Sequence, residues 1–458
     1  MTTPPVMRTR AFLAPLVLLA GLTACTDRIE EAHFALVGGT VIDGTGSPPL
    51  ADAAVVVRGQ HIEAVGPRNA VDIPSDITTV DVSGKWILPG FIDAHAHIQR
   101  WTLPRYLAYG VTTVRDLHGT QDAVLALAEQ ANLNAFPSPT IFVAGAMIDG
   151  TPPTWDNATG VAGETEGRRA VDQLSLAGVD HIKAYTRIPS AVLGAIVDEA
   201  NSFTLPVAAH LGLTDAVTAA RLGVRSIEHL SGVPEAAITD PGGLYAAHAQ
   251  GYWQGWNAAQ RSWARLRPSA LKDVAEQLAD AGVFLVPTLL MHEVYSRLDD
   301  PTVLETSDYA VVPDSVRARW NPASLVARAG WDLGFFRTAR LARESQDRFI
   351  RDFVAAGGMV ATGSNAALDF FPAGLGLHTE IELLVAAGLS PTEALVAATG
   401  NGARLVGADS LGTIAVGKVA DLVILDGDPL SDIRNTRSVD RIILRGNIMP
   451  ADSIRASW

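Results

Sequence analysis

The stretch GKWILPGFIDAHAHI, residues 84–98, contains the pattern that decides the fold. An apolar strand, 91–97, ends in His95-Ala96-His97, with Asp93 just before the pair. Side chains two residues apart on a strand share one face. Both imidazoles can therefore bind one metal from the end of this strand. The stretch predicts a buried strand that carries a candidate metal-binding pair.

Seven more apolar segments follow, with helix-like segments between them, and the eight predicted strands are 91–97, 111–116, 140–143, 181–184, 206–210, 226–229, 283–287 and 359–362. Near-continuous apolar strands that alternate with amphipathic helices are typical of a parallel sheet. Eight of them predict an α/β fold, a TIM-like (β/α)8 barrel. A doubly wound open sheet is the alternative, which the lack of a Gly-rich nucleotide motif after the first strand disfavours.

Both ends of the chain read as short strands with tight turns, and they predict a small β-domain. We assign residues 34–89 and 403–450 to it, and residues 90–402 to the barrel. The Trp-containing segments 230–282 and 288–340 are predicted helical insertions after strands six and seven. They would either cover the active-site end of the barrel or anchor themselves to it through their Trp side chains.

Composition restricts the kind of site. The chain has 458 residues, a formal net charge of −14, one Cys and 11 His. The acidic balance argues against nucleic-acid binding. One Cys excludes an intrachain disulfide framework and a Cys-rich zinc module. Histidine is therefore the residue type to follow for metal chemistry.

The first 24 residues are predicted to be a signal peptide, because two Arg precede a short apolar run, 11–22. The run ends in LTAC, which resembles a bacterial lipobox. We therefore expect lipidation at Cys25, a lipidated linker over 25–33, and an exported protein anchored to the cell envelope, at the outer membrane. An ordinary signal peptide with an incidental Cys is the alternative.

Three further strand ends carry candidate metal ligands. His210 ends LPVAAH, His229 ends RSIEH, and Lys183 lies in DHIKAY. A lone His at a strand end is more often structural, but imidazole suits zinc and similar metals. Lys183 would either extend to solvent or be carboxylated by carbon dioxide, which turns a cation into a bidentate anion.

The chain resembles the amidohydrolase superfamily, close to its imidazolonepropionase-like and prolidase-like members. Beyond residues 84–98, the matching motifs are YGVTTVRDL (109–117), DHIKAY (180–185), VAAH (207–210), SIEHL (226–230), VATGSNA (360–366), GLHTEIELLVAAGLSPTEALVAATGNGARLVG (376–407) and LGTIAVGKVADLVILDGDPLSDI (411–433). The resemblance implies a metal-dependent barrel with an accessory β-sandwich that hydrolyses amide or ester centres. His95 and His97 would bind a buried zinc, His210 and His229 an exposed one, and carboxylated Lys183 would bridge both.

One position departs from the family motif. The family has Asp where this chain has Asn365, in Gly363-Ser364-Asn365, and that Asp binds metal and handles a proton. Asn does not titrate as a base. Asp369 is a candidate substitute, although it lies past the strand end. The catalytic position is thus occupied by a residue that cannot repeat the family's proton transfer.

Function follows as a set of alternatives. We expect a hydrolase of dipeptides or N-acyl amino acids; lactones, imidazolones and organophosphates stay open as substrates. His118, Tyr185 and His292 follow barrel strands and are candidates to contact substrate. A catalytically impaired binding or sensing lipoprotein is the second hypothesis, because of Asn365, and a structural lipoprotein the third. The lipid anchor is the expected membrane contact, and the resemblance allows for a homo-oligomer.

Overall fold

The structure, a computed structural model, describes residues 33–458. The predicted signal peptide, the lipidation site at Cys25 and nearly all of the predicted linker 25–33 lie outside the described residues. Within the described part of the chain, no helix combines the length and the apolar character that crossing a bilayer requires.

The strands alternate with helices along most of the described chain. The strands are β1 His33–Val41, β2 Leu50–Arg58, β3 His61–Pro67, β4 Thr78–Asp81, β5 Trp86–Pro89, β6 Phe91–Ala96, β7 Val111–Asp116, β8 Thr140–Val143, β9 Ile148–Gly150, β10 Thr159–Val161, β11 Ile182–Ala184, β12 Val207–Ala209, β13 Ser226–Glu228, β14 Phe284–Val286, β15 Met359–Val360, β16 Leu422–Leu425, β17 Val439–Leu444 and β18 Asn447–Pro450. The helices are α1 Leu103–Ala108, α2 Gln121–Asn132, α3 Glu164–Ala177, α4 Ser190–Ser202, α5 Ala216–Leu222, α6 Val233–Ala237, α7 Gly242–Gln250, α8 Tyr252–Trp263, α9 Pro268–Asp280, α10 Leu289–Tyr295, α11 Asp314–Arg317, α12 Pro322–Ala329, α13 Leu333–Ala355, α14 Leu375–Ala386, α15 Pro391–Ala397, α16 Gly400–Val406 and α17 Ala451–Arg455.

All eight predicted barrel strands are present, as β6 to β8 and β11 to β15, so the α/β class is confirmed. They pair in parallel in two sheets, β6-β7-β8 and β10-β9-β11-β12-β13-β14-β15. The Asp180 amide donates to the Val143 carbonyl, and the Ala94 amide to the Thr362 carbonyl, each at 2.8 Å. Closure into one barrel stays a prediction.

Local sequence explains why the connecting helices begin and end where they do. In α5, the Asp215 side chain accepts a hydrogen bond from the Thr218 amide at 2.9 Å and caps the first turn. Gly223 ends the helix in the left-handed region, with φ of 96°, where a residue without Cβ is favoured. This helix connects the two strands that precede His210 and His229.

Strands from both ends of the chain form one eight-stranded sheet, which we call the terminal sheet. Its order is β18-β17-β16-β5-β1-β2-β3, with β4 paired to β1. Strand β16 runs antiparallel to β5, and Leu422 lies opposite Pro89. The joining of the two chain ends is therefore as predicted, whereas a two-sheet sandwich stays a prediction.

The two Trp-containing segments are helical, as predicted. Helices α6 to α9 lie between β13 and β14, and α10 to α13 between β14 and β15. Trp256, Trp263 and Trp331 are buried in the core, which supports the anchoring role. Trp253 instead faces the cavity described next.

Candidate metal centre

The five predicted metal ligands line one cavity of about 640 Å³ together with Asn365. They lie at or just after the carboxyl ends of β6, β11, β12 and β13. The ring centroids of His95 and His229 are 4.4 Å apart, those of His210 and His229 4.6 Å, and those of His95 and His97 5.6 Å. Side chains far apart in sequence thus converge on one cavity.

Hydrogen bonds to acceptor groups orient three of the four imidazoles. His95 Nδ1 lies 2.6 Å from Glu228 Oε2, and His97 Nδ1 lies 2.9 Å from the His118 carbonyl oxygen. His229 Nδ1 lies 2.6 Å from Thr288 Oγ1, whose own proton goes to the Pro287 carbonyl. In the neutral ring each Nδ1 must therefore be the donor, so Nε2 carries the lone pair. That tautomer is the one that binds a metal through Nε2.

Burial keeps these rings neutral. It lowers the pKa of His95, His210 and His229 well below the ordinary value, with smaller contributions from the neighbouring cationic groups. For His97, burial lowers the pKa to about 4. At neutral pH the cavity therefore offers imidazole lone pairs rather than imidazolium cations.

Lys183 is the unusual member of the set. Its side chain is buried, and Nζ has no hydrogen-bond partner among the described residues. Burial lowers the pKa of Lys183 to about 7, so a large fraction is neutral near physiological pH. An unpartnered buried amine is costly, and a neutral amine is the form that can add to carbon dioxide.

A buried network behind His95 was missed by sequence reasoning. Glu228 accepts hydrogen bonds from His95, from Arg115 Nη2 at 3.0 Å and from Ser226 Oγ at 2.5 Å. Arg115 Nε donates to the Ala94 carbonyl at 2.6 Å. Both charged side chains are fully buried. The available signal was a charge within each of the apolar strand motifs TTVRD and SIEH.

Asn365 occupies the position of the family Asp and contacts His97. Its backbone N–H donates to the His95 carbonyl at 2.8 Å, and its side-chain Oδ1 lies 3.3 Å from His97 Nε2. Its Nδ2 faces Met291 Sδ at 3.4 Å. Because His97 Nδ1 is the donor, the Nε2 lone pair faces another acceptor, an arrangement that a cation between them would relieve.

The histidines of the described residues do not by themselves complete a site for a divalent metal. Within residues 33–458, no group of three His, Cys, Asp or Glu side chains is placed to hold an ion. The resemblance assigns two histidines to each ion, so a further protein ligand would come from Lys183 or from Asn365 Oδ1. A carboxylated Lys183 would supply oxygen ligands where the amine supplies none.

The candidate substrate residues separate into two groups. His118 and Tyr185 line the cavity, and so does Asp369. His292 is not among the lining residues. Its Nε2 donates to the His229 carbonyl at 3.1 Å, and its ring stacks on Trp256 with centroids 5.3 Å apart. His292 therefore supports the backbone of His229 from behind instead of facing the substrate space.

Comparisons with known proteins find similar sequences and folds. The amidohydrolase family profile matches residues 86–449. A stretch of 109 residues is 38% identical to a D-aminoacylase of Alcaligenes xylosoxydans xylosoxydans, covering 23% of this chain and 21% of that protein. A stretch of 49 residues is 43% identical to an imidazolonepropionase of Arthrobacter sp. (strain FB24), covering 11% of this chain and 12% of that protein. The chain spans less than a third of the length of the curated relatives it matches.

A solved structure matches over nearly the whole chain. It is the crystal structure of a "putative prolidase from Bifidobacterium longum", at 25% identity and a TM-score of 0.68. The match covers 93% of this chain and 98% of that one. The similarity therefore includes the strands that carry the candidate ligands and those of both chain ends.

Proposed function

Because the chain belongs to the amidohydrolase family, we propose that it is an exported, metal-dependent hydrolase that cleaves amide bonds of dipeptides or N-acyl amino acids. One observation carries the proposal. The Lys183 amine is buried without a partner in a cavity whose oriented histidines expose Nε2 lone pairs. The similarity to prolidases and D-aminoacylases supports the substrate class.

Two zinc ions would be held by this set. His95 and His97 would bind one, His210 and His229 the other, and Lys183, carboxylated by carbon dioxide, would bridge them. Such metals supply a water of lowered pKa as nucleophile and polarise the scissile carbonyl. Addition of the Lys183 amine to carbon dioxide forms an N–C bond and releases a proton. The product is an anion whose oxygen atoms can act as ligands to zinc.

The protein's own residues keep the histidines in place. Glu228, Thr288 and the His118 carbonyl hold three of the rings in the tautomer that exposes Nε2. The two latter groups are neutral, so Glu228 is the one of the three that also adds charge. Loss of any of them would misdirect one lone pair.

Proton transfer to the leaving amine cannot use Asn365. Asp369 is the one carboxylate among the described residues that line the cavity. Partial burial raises its pKa, against smaller decreases from Arg319 and Arg328. We therefore assign the proton shuttle to Asp369 or to solvent.

The proposed location follows from the sequence alone. A signal peptide over 1–24 and lipidation at Cys25 would place the hydrolase in the periplasm or cell envelope, with its lipid as the membrane contact. Metabolic labelling with a radioactive fatty acid tests this. We expect the wild type to incorporate the label and Cys25→Ala not to. Equal labelling of the two proteins would contradict lipidation.

A catalytically impaired binding or sensing protein is the second candidate. Asn365 favours it, because this side chain brings neither a negative charge nor a titrating group to His97. The two candidates differ in turnover, and both require the cavity to bind ligand.

Metal analysis and a substrate panel test the proposal. Plasma spectrometry should find two zinc ions per chain after reconstitution, and wild type should hydrolyse members of a panel of dipeptides and N-acyl amino acids. Turnover by Asn365→Asp alone would favour the impaired protein. Absence of metal after reconstitution would overturn the ligand assignment.

The role of Lys183 has its own test. Lys183→Ala should lose metal and activity, and short carboxylic acids such as acetate should restore both by replacing the missing oxygen ligands. Lys272→Ala, at an exposed position, is the control. Failure of the acids to restore metal binding would count against carboxylation.

A further inference from the structure

The open end of the cavity carries two arginines that the proposed hydrolysis does not use. Arg319 and Arg328 line the same cavity as the histidines, yet both are exposed, whereas His95 and His229 are buried. Arg319 follows α11 and Arg328 lies in α12, within the second helical insertion. The insertion thus places two guanidinium groups at the mouth, at the opposite end from the candidate ligands.

Both guanidinium groups are available to bind an anion. Among residues 33–458, neither Arg319 nor Arg328 forms an ion pair within 4.0 Å. Neighbouring Arg317, in contrast, pairs with Asp314. Asp369 is the acidic group they influence, and both lower its pKa against the larger effect of its burial. In a chain of net charge −14, two such arginines at one cavity mouth form a local positive field that attracts anions.

The helix that carries Arg328 is held firmly. The Asn321 side chain accepts from the Ser324 amide at 2.9 Å and caps α12. Leu325 packs in the core. At the other end of the helix, Asn257 Nδ2 donates to the Ala329 carbonyl at 2.8 Å. A fixed helix positions its side chains more precisely than a loop does.

Four aromatic rings line the same cavity as the histidines. Tyr185 contacts His210 with centroids 4.9 Å apart and stacks on Tyr252 at 6.2 Å. Tyr252 in turn contacts Trp253 at 4.8 Å and Trp155 at 6.1 Å. All four rings line the cavity, and Trp155 is 40% exposed. The cavity lining thus includes buried metal-ligand candidates, a connected set of aromatic rings that reaches the exposed Trp155, and the exposed arginines.

We infer that the substrate has an acidic group at the end remote from the scissile bond, separated from it by an apolar or aromatic portion, and that Arg319 and Arg328 bind this acidic group. The inference rests on the proposed hydrolysis for the position of the scissile bond. A guanidinium group pairs with a carboxylate through two parallel hydrogen bonds, and the aromatic rings bury the middle of the substrate. Arg319 and Arg328 are thus specificity residues.

Calorimetric titration tests the inference without turnover. The zinc-supplemented protein is titrated with 4-phenylbutyrate and with 4-phenylbutyramide, which differ in the charge of one end. Wild type should bind the acid about tenfold more tightly than the amide, since hydrogen bonds to charged groups contribute this much. The double variant Arg319→Gln, Arg328→Gln should lose that preference, and Arg317→Gln should keep it. Equal binding of both probes by wild type, or an unchanged preference in the double variant, would overturn the inference.

Turnover separates this inference from the proposed function. The dipeptides Phe-Glu and Phe-Gln, and Glu-Phe and Gln-Phe, are compared as kcat/KM ratios in wild type and double variant. Arginine-dependent binding without hydrolysis of any panel member would sink the hydrolase and leave the inference standing. Hydrolysis with no arginine-dependent preference would overturn the inference and leave the hydrolase standing. If circular dichroism shows that the double variant is unfolded, the two single variants replace it in the test. Each should reduce the preference for the acid about threefold.

Discussion

The cavity floor and the terminal sheet bury side chains of opposite chemistry. We use cavity floor for Asp93, His95, Arg115, Lys183 and Glu228, all buried polar or charged groups at the parallel strands. The core of the terminal sheet is built from apolar side chains, among them Leu36, Val55, Ile87, Leu422 and Ile424. Burial of apolar surface stabilises a fold, whereas burial of charge costs free energy unless it is paired.

The difference teaches which region is built for stability and which for chemistry. Among the described residues, no side chain of the terminal sheet lines the cavity. A substitution in the core of that sheet therefore removes no reactive group from the candidate site. The cavity floor keeps an unpartnered amine on Lys183. That cost is understandable only if another group, such as a metal with a carboxylated lysine, completes the site.

The largest expected effect comes from breaking the charge pair of the cavity floor. Glu228→Gln leaves the Arg115 guanidinium buried without its carboxylate, which should lower the free energy of unfolding of the metal-free protein by about 3–5 kcal/mol. It should also weaken zinc binding by about 10-fold to 100-fold, because His95 loses its orienting partner. Urea unfolding and zinc titration measure the two effects.

A second variant serves as the control for that prediction. Arg115→Met added to Glu228→Gln removes the stranded charge and should recover part of the lost stability. A change below about 1 kcal/mol in Glu228→Gln would mean that the pair is not the buried network described.

An apolar truncation in the terminal sheet should have a smaller and purely structural effect. Ile424 is fully buried, and Ile424→Ala should cost about 2–4 kcal/mol through lost burial and the cavity left behind. Zinc content and kcat should stay at wild-type values once folding is corrected for. The matched control is Val416→Ala, at a side chain 65% exposed, which should be near neutral. Reduced zinc content in folded Ile424→Ala would break the contrast between the two regions.

The smallest expected effect is a pH dependence at Asp421, directly before strand β16 of the terminal sheet. Burial raises the pKa of Asp421 to about 6. Its Oδ1 accepts from the Arg445 amide at 2.7 Å, while Oδ2 has no partner among the described residues. The folded state therefore favours the protonated form. The stability it contributes is complete below the unfolded pKa near 3.8 and is lost as the pH rises through 6.

Asp421→Asn tests this sign. The variant should be about 2 kcal/mol more stable than wild type at pH 7.5 and should lose this advantage at pH 4, where the wild-type carboxyl is protonated. Thermal or urea unfolding at both pH values measures it, with exposed Asp409→Asn as the control. A wild type that gains stability relative to the variant as the pH rises from about 4 to about 7.5 would contradict the assignment.

Local pattern predicted much of the fold. All eight barrel strands occur where the apolar pattern predicts them, with helices between them. The short strands β9 and β10, at Ile148–Gly150 and Thr159–Val161, were missed, because a three-residue strand has too few positions to show a period. Pattern alone also could not tell whether the strands close into one barrel.

The candidate site was predicted in its ligands and missed in its supports. His95, His97, Lys183, His210 and His229 were each at a strand end, and strand ends of a parallel sheet meet at one edge. His292 follows a strand too, yet it supports the His229 backbone, because helix α10 turns its ring away from the cavity.

The sequence by itself determined the strands, the family motifs and the Asn at 365, since each is a property of neighbouring residues. Only the tertiary structure decided which side chains meet. Glu228 contacts His95 and Arg115, and the lone pair of His97 faces Asn365, across more than a hundred residues. The packing of the second insertion likewise brings Arg319 and Arg328 to the same cavity as the histidines. Such contacts depend on how strands and insertions pack in three dimensions, and side-chain charge and tautomer follow from that packing.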